Sequence, residues 1–240
     1  MKNNKILFVI PAYNEAENIE KVLKEIKKDV DYADILVIND CSKDNTSEIV
    51  RKNGVKCIDN VFNMKYAMAV QTGIKYAYQN NYDYVIQFDA DGQHIAKEAE
   101  KLYNRIKTTN SDIIIGSRYL EKTGYPCPFF RRIGTKIFEK IIKLFCRKKI
   151  VDPLSGFQCL NKRVIERYSK IGNYPEFPDA NLVIEMLLSG YKIEEVPVKM
   201  RLREAGESMH GGIIKPIKYM IEQLYTCLLI VIKNIGKRRK

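Results

Sequence analysis

Tyr84-Val85-Ile86-Gln87-Phe88 runs directly into Asp89-Ala90-Asp91-Gly92-Gln93-His94, and the reading of this stretch decides the fold. A short apolar run of this kind suits a buried strand. It stops at two carboxylates two residues apart, with Gly92 able to bend the chain sharply. Alone, such a motif is an acidic turn in which glycine takes a positive φ. Two other stretches change that weighting. Ile6 to Ile10 is a second apolar run and is followed by Pro11-Ala12-Tyr13-Asn14-Glu15. Ile35 to Ile38 is a third, followed by Asn39-Asp40-Cys41-Ser42-Lys43-Asp44. Each strand end therefore carries a carboxylate.

Helical spacing separates these strands. Ile19, Val22, Leu23 and Ile26 recur on one face, with Asn14 placed as N-cap and Glu17 as its capping-box partner. Helices are also predicted over Asp44 to Val50, Met64 to Tyr78 and Lys97 to Ile106, and strands over Val55 to Ile58 and Ile113 to Ile115. Strands alternating with helices imply an α/β fold, a mostly parallel, Rossmann-like sheet flanked by helices on both faces. Such sheets bind ligands at the carboxyl ends of their strands. Two carboxylates there offer hard oxygen donors of the kind that hold Mg²⁺ or Mn²⁺, ions that commonly share coordination with substrate phosphates.

The second half differs in texture. Ile133, Ile137, Phe138, Ile141, Leu144 and Phe145 form an apolar stripe among Lys136, Lys140, Lys143, Arg147, Lys148 and Lys149. A second amphipathic segment runs from Ile213 to Ile235 and closes on Lys237-Arg238-Arg239-Lys240. Between them lie an Asp152-Pro153-Leu154-Ser155-Gly156-Phe157 turn and a strand predicted over Lys192 to Met200. The basic segments fit shallow attachment to an anionic lipid surface. Neither is long enough in apolar residues to span a bilayer, which takes about 20.

The composition of the 240-residue chain, 45% hydrophobic and 29% charged, is that of a folded protein able to bury a sizeable core. A net charge of +12 points to an anionic partner. Six scattered cysteines and two histidines, His94 and His210, form no zinc pattern. No signal peptide is expected at the start, so the expected location is cytoplasmic, with reduced thiols. A dinucleotide fold would need G-x-G-x-x-G after its first strand and a P-loop enzyme G-x-x-x-x-G-K-[ST]; both are absent. Three carboxylate-bearing strand ends are not explained by a nucleic-acid-binding module, and no nucleic-acid partner is expected.

The strings PAYNEAENI, VINDCSKDNT, QFDADGQH, IIIGSRY, DPLSGFQCLNKRV and VPVKMRLREAGES stand in this order over about residues 5 to 210. As an ordered set they resemble family 2 glycosyltransferases of GT-A fold, and most of all the dolichyl- and polyprenyl-phosphate sugar synthases. The resemblance implies a catalytic domain over 1–210 and a terminal helix over 211–240 that docks on a membrane surface, on a separate membrane-protein partner or on a second copy. It implies that Pro11, Tyr13, Glu15, Ile38 and Asp40 hold the nucleoside. Asp89, Ala90, Asp91 and Gln93 match its metal and diphosphate motif, with Asp89, Asp91 and Gln93 as metal ligands. Arg118 and Arg203 match basic residues near the phosphates, with Arg131 or Arg132 adding another, and Ser208 falls in a Gly-x-Ser turn. Asn39 and Cys41 stand where relatives carry an acidic residue and Gly, and Met209 where many carry Lys.

The implied reaction moves a sugar from a nucleotide-sugar (a UDP-sugar or GDP-mannose) to a polyprenyl phosphate with inversion, at the inner face of the membrane. Charge developing on the departing diphosphate is neutralised by the metal, Arg118 and Arg203. A lipid phosphate, with a second pKa of about 6, needs no strong base. A glycan hydroxyl, the alternative acceptor in cell-surface polysaccharide synthesis, does need one, and Asp179 and Glu185 are the carboxylates available; Asp179 is equally placed as a helix N-cap. A non-catalytic scaffold for a membrane complex is the remaining alternative.

Overall fold

A computed structural model describes residues 4–121, 125–126, 129–202 and 214–238. Arg203, Ser208, Met209 and His210 lie outside them, as does the side chain of Arg131. The strands are β1 (Ile6–Ala12), β2 (Asp34–Asn39), β3 (Lys56–Asp59), β4 (Tyr84–Gln87), β5 (Ile113–Ser117), β6 (Gln158–Asn161) and β7 (Ile193–Pro197). They form one sheet in the order β3-β2-β1-β4-β6-β5-β7. All pairings are parallel except those of β6, which runs antiparallel to both β4 and β5. From β1 the chain moves outward to β2 and β3, then returns to lay β4 on the other side of β1. Strand order reverses between β1 and β4, the kind of switch point beyond whose strand ends open α/β sheets bind ligands.

The helices are α1 (Ile19–Asp29), α2 (Thr46–Lys52), α3 (Lys65–Gln79), α4 (Ala99–Thr109), α5 (Phe129–Cys146), α6 (Lys162–Ser169), α7 (Ala180–Leu188) and α8 (Ile214–Arg238). All seven residues of β1 are buried, because both faces of the strand are covered. On one face Phe8 and Ile10 pack with Ile19, Leu23 and Ile26 of α1, Val50 of α2 and Leu102 of α4. On the other, Leu7 and Val9 pack with α3, and the same core takes in Phe138 and Ile142 of α5, Val164 of α6, Ile184 of α7, and Cys227 and Val231 of α8. The result is the expected layered α/β architecture.

Four differences from the sequence reading have physical causes. α1 begins at Ile19, not beside Asn14. Asn14 sits at φ 54° and accepts from the Lys43 amide at 2.8 Å, so it stitches two loops together and caps no helix. β6 and α6 were not anticipated: β6 is four residues long with polar ends, and its last residue, Asn161, caps α6 by accepting from the Val164 amide at 3.1 Å. The stripe of α5 divides, with Phe138 and Ile142 buried and Ile133, Ile137 and Leu144 exposed. α8 is likewise two-faced. Gln223, Cys227 and Val231 point inward at four-residue spacing, while Ile221, Tyr225, Leu228, Leu229 and Ile232 are exposed. No helix among the described residues is long and apolar enough to cross a membrane.

Candidate active site

The first and second strand-end loops are joined through side chains. The amide of Asn14 donates to Ser42 Oγ (2.9 Å), that of Glu15 to Thr46 Oγ1 (2.9 Å) and that of Ala16 to Asp44 Oδ2 (3.0 Å). Burial works against the charge of Asp44, but bonds from Thr46 and Ala16 prevail and hold its carboxyl below the usual range. Glu15 is buried and accepts from the Asn18 amide group at 2.8 Å, while Tyr13 is exposed on the rim. Pro11 and Ile38 are neighbours across the β1–β2 pairing.

Asp40 is 3% exposed. Its Oδ1 accepts from Asn60 Nδ2 (2.7 Å) and from the Met64 amide (2.9 Å), which ties the loop after β3 to the end of β2. No described residue bonds its Oδ2, so that oxygen can accept from a base edge. Asn39 donates to Asp59 Oδ1 at 2.8 Å. An acidic residue at that position would face the Asp59 carboxylate across the β2–β3 pairing, a like-charge contact that Asn39 avoids. Cys41 takes φ 60°, the left-handed conformation that glycine adopts without steric cost.

The third loop is held from three sides. Tyr66, on the first turn of α3, donates its hydroxyl to Asp89 Oδ1 at 3.0 Å. Burial and the neighbouring Asp89 push this phenol well above its ordinary range, so it acts as a neutral donor. The Asp89 amide donates to His94 Nδ1 at 3.0 Å. His94 is buried, stacked on Phe157 (4.5 Å between ring centroids), and its pKa is lowered to about 4 by burial, with Asp91 pulling upward and Arg118 downward. It is therefore a neutral support of the loop. Asp91 Oδ1 accepts from the Gln93 amide (3.0 Å), and the Gln93 side chain donates to Tyr125 Oη (3.3 Å). Ala90 is buried beneath the loop.

Arg118 does not stand alone. Its Nε and Nη2 donate to Asp152 Oδ2 and Oδ1, each at 2.8 Å, and its amide to the same carboxylate at 2.9 Å. Asp152 is fully buried. Burial opposes the guanidinium charge, but this pairing outweighs it and keeps Arg118 charged. The turn that supplies Asp152 also places Gly156 against the Tyr66 hydroxyl and Asp89. Arg132 is exposed on α5.

Asp179 makes no side-chain cap to α7. Its Oδ2 accepts from the Tyr219 hydroxyl of α8. Burial pushes its carboxyl up to about 6, the Tyr219 bond and Arg118 pull it down, and Asp89 pushes it up. Asp179, Asp89 and Arg118 therefore share one electrostatic site. Glu185 is elsewhere, paired with Arg167 at 2.8 Å.

Among the described residues no three His, Cys, Asp or Glu side chains converge as a ready-made metal cluster. Asp89 and Asp91 supply two hard carboxylates, which fits a divalent ion that takes its remaining ligands from water and substrate phosphates. Tyr66, Asp152 and Tyr219 escaped the sequence reading. Each acts on a partner 23 to 40 residues away, and periodicity carries no such information.

The model of glycosyl transferase family 2 matches residues 7–169. A dolichol-phosphate mannosyltransferase of Pyrococcus furiosus is 34% identical over 93% of this chain, which spans 64% of that relative. A UDP-N-acetylglucosamine–dolichyl-phosphate N-acetylglucosaminyltransferase of Methanococcus voltae is 26% identical over 83% of this chain and 86% of the relative. Among solved structures, glucosyl-3-phosphoglycerate synthase of Mycobacterium tuberculosis, in complex with Mn²⁺, UDP-glucose and phosphoglyceric acid, superposes with a TM-score of 0.68 at 16% identity. It covers 95% of this chain and 80% of its own. That likeness is one of fold, GT-A.

Proposed function

The chain belongs to glycosyl transferase family 2, and from that membership we propose that it transfers a sugar, with inversion, from a nucleotide-sugar to a polyprenyl phosphate at a membrane surface. The observation that supports this reading is that Asp40 leaves β2 and Asp89 and Asp91 leave β4, the two strands that flank β1 in the sheet. The relatives named for dolichol-phosphate acceptors give the acceptor class.

In this reading Asp40 Oδ2 accepts from the base, and Glu15 and Tyr13 border the nucleoside. Asp89 and Asp91 hold Mg²⁺ or Mn²⁺, which supplies Lewis-acid stabilisation of the leaving diphosphate. Tyr66 and His94 keep Asp89 in place, and Arg118, fixed by Asp152, adds positive charge to the same pocket. Arg203 and Ser208 are proposed to add phosphate contacts, and Gln93 borders the metal. The acceptor oxygen attacks the anomeric carbon as the bond to the diphosphate breaks, its electron pair leaving with the nucleoside diphosphate. Attack opposite the leaving group inverts the centre.

Asp179 favours a second reading. A carboxyl with its pKa near 6, within the electrostatic reach of Arg118 and Asp89, is suited to take a proton from a glycan hydroxyl. Membranes incubated with labelled donors decide between the two. Label in extracted lipid as a phosphate-linked sugar supports the first, and label only in polysaccharide supports the second. Titration calorimetry with UDP-sugars and GDP-mannose in Mn²⁺ identifies the donor, and no binding to any of them would favour the scaffold.

The exposed apolar faces of α5 and α8, together with Lys136, Lys140, Lys143, Lys218 and Lys233, fit docking on the inner, anionic leaflet. In this arrangement 211–240 is an appendage in sequence, yet its inner face belongs to the core of the catalytic domain, 1–210.

A further inference from the structure

The terminal helix meets Asp179 through Tyr219. Tyr219 lies on the inward face of α8, one turn before Gln223 and two before Cys227. Its ring meets Phe177 edge-on, with centroids 5.6 Å apart, and Gln223 Nε2 donates to the Phe177 carbonyl at 3.3 Å. These two contacts seat α8 on the segment that leads into α7. The Tyr219 hydroxyl then donates to Asp179 Oδ2, and Asp179 Oδ1 has no hydrogen-bond partner among the described residues. The Asp179 amide is taken up by the Phe177 carbonyl (3.0 Å) and Asn181 Oδ1 (3.1 Å), so the backbone of this residue is fixed as well. A carboxylate with one oxygen pinned and the other unpartnered, in the field of Asp89 and Arg118, is set to meet an incoming group.

We propose that Tyr219 is a positioning residue that aims Asp179 at the acceptor, making α8 part of the catalytic unit. The inference rests on the hydroxyl-acceptor reading above, in which Asp179 takes the acceptor's proton, and extends it to a helix beyond residues 7–169, the span matched by the family model. It also gives α8 two tasks on two faces. The outer stripe meets the lipid surface, and the inner face holds the carboxylate that takes the acceptor's proton.

Tyr219→Phe in the full chain is the test, because it keeps the ring on Phe177 and removes the hydroxyl donor. Expected is a fall in kcat of about tenfold or more, in line with loss of one hydrogen bond to a charged group. Donor affinity measured by calorimetry with Mn²⁺ stays within about twofold, since Asp40, Asp89 and Asp91 are untouched. Asp179→Asn alone and Asp179→Asn with Tyr219→Phe should be equally slow, because the two residues act as one unit. Val231→Ala, three turns further along the same buried face, should lower the melting temperature and leave kcat unchanged.

A Tyr219→Phe enzyme with wild-type kcat, or a Val231→Ala enzyme as slow as Tyr219→Phe, overturns the proposal. A readout independent of turnover is the carboxyl ¹³C resonance of Asp179. It is faced by Tyr219, Asp89, Arg118, Tyr66, Tyr174 and Cys227, and loss of the Tyr219 donor should move its titration upward by about one pH unit. An unmoved titration rejects the positioning role. A moved titration in a protein that transfers no sugar from any donor rejects the transferase reading instead.

Discussion

Asp179 shows how a single side chain sets stability against function. Its carboxyl is raised from 3.8 to about 6, so the folded protein holds a proton that the unfolded chain has released. Between those values stability falls as pH rises. Asp179→Asn removes the charge while keeping an oxygen for Tyr219. The variant should be more stable than wild type at pH 7 by about 1–2 kcal/mol, a discounted figure because the side chain keeps a solvent-accessible edge. The advantage should vanish near pH 4, as thermal unfolding across that range will show, and turnover should fall in the same variant. Asp44 has the opposite sign. Its lowered pKa contributes stability above the unfolded value, and this is lost as pH falls through the folded one.

Elements position the site through close approach. A Cβ at Gly156, in the turn before β6, would lie 2.9 Å from the Tyr66 hydroxyl and 3.8 Å from an Asp89 oxygen. Gly156→Ala should therefore displace Tyr66, cost about 1–3 kcal/mol as overpacking does, and weaken Mn²⁺-dependent donor binding in calorimetry. Adding Tyr66→Phe makes room and should restore the melting temperature without restoring donor binding. The same elements show what sequence can and cannot disclose. β1, β2 and β4 were legible because strands buried on both faces are continuous apolar runs, and their end loops carried Glu15, Asp40 and Asp89 in plain view. β6 was not legible, since four residues give no periodicity and its antiparallel direction follows from the path of the chain. Arg118 was found as a basic residue near the site, but its fixed partner Asp152 was hidden 34 residues away. In sequence, Asp179 fits a helix cap and a carboxylate for chemistry equally well. Only the packing of α8 shows that it does no capping.

For the whole molecule, charge and shape act together. The chain carries +12, and α5 and α8 present exposed apolar stripes beside their lysines. Deleting 213–240 would test membrane docking poorly, because it would also strip Cys227 and Val231 from the core. Outward substitutions separate the two effects. Leu228→Glu with Ile232→Glu should reduce partitioning onto anionic vesicles by about tenfold or more, combining lost apolar burial with repulsion. The melting temperature should hold, since both side chains are exposed. Unchanged partitioning would place the attachment elsewhere.

The loops proposed to hold the nucleoside have a kinetic consequence. The amides of Asn14, Glu15, Ala16, Lys43 and Met64 lie outside helices and strands, yet each donates to a side chain rooted in another segment. Loop amides ordinarily exchange with solvent by local fluctuation. Here no one of these loops can open without releasing its neighbour. Deuterium uptake at these five positions should then be slow and share a common rate, while Val61 and Phe62, at the exposed tip between Asn60 and Met64, exchange within the dead time. The half of the site proposed to select the donor would behave as one cooperative unit, arranged before any ligand arrives.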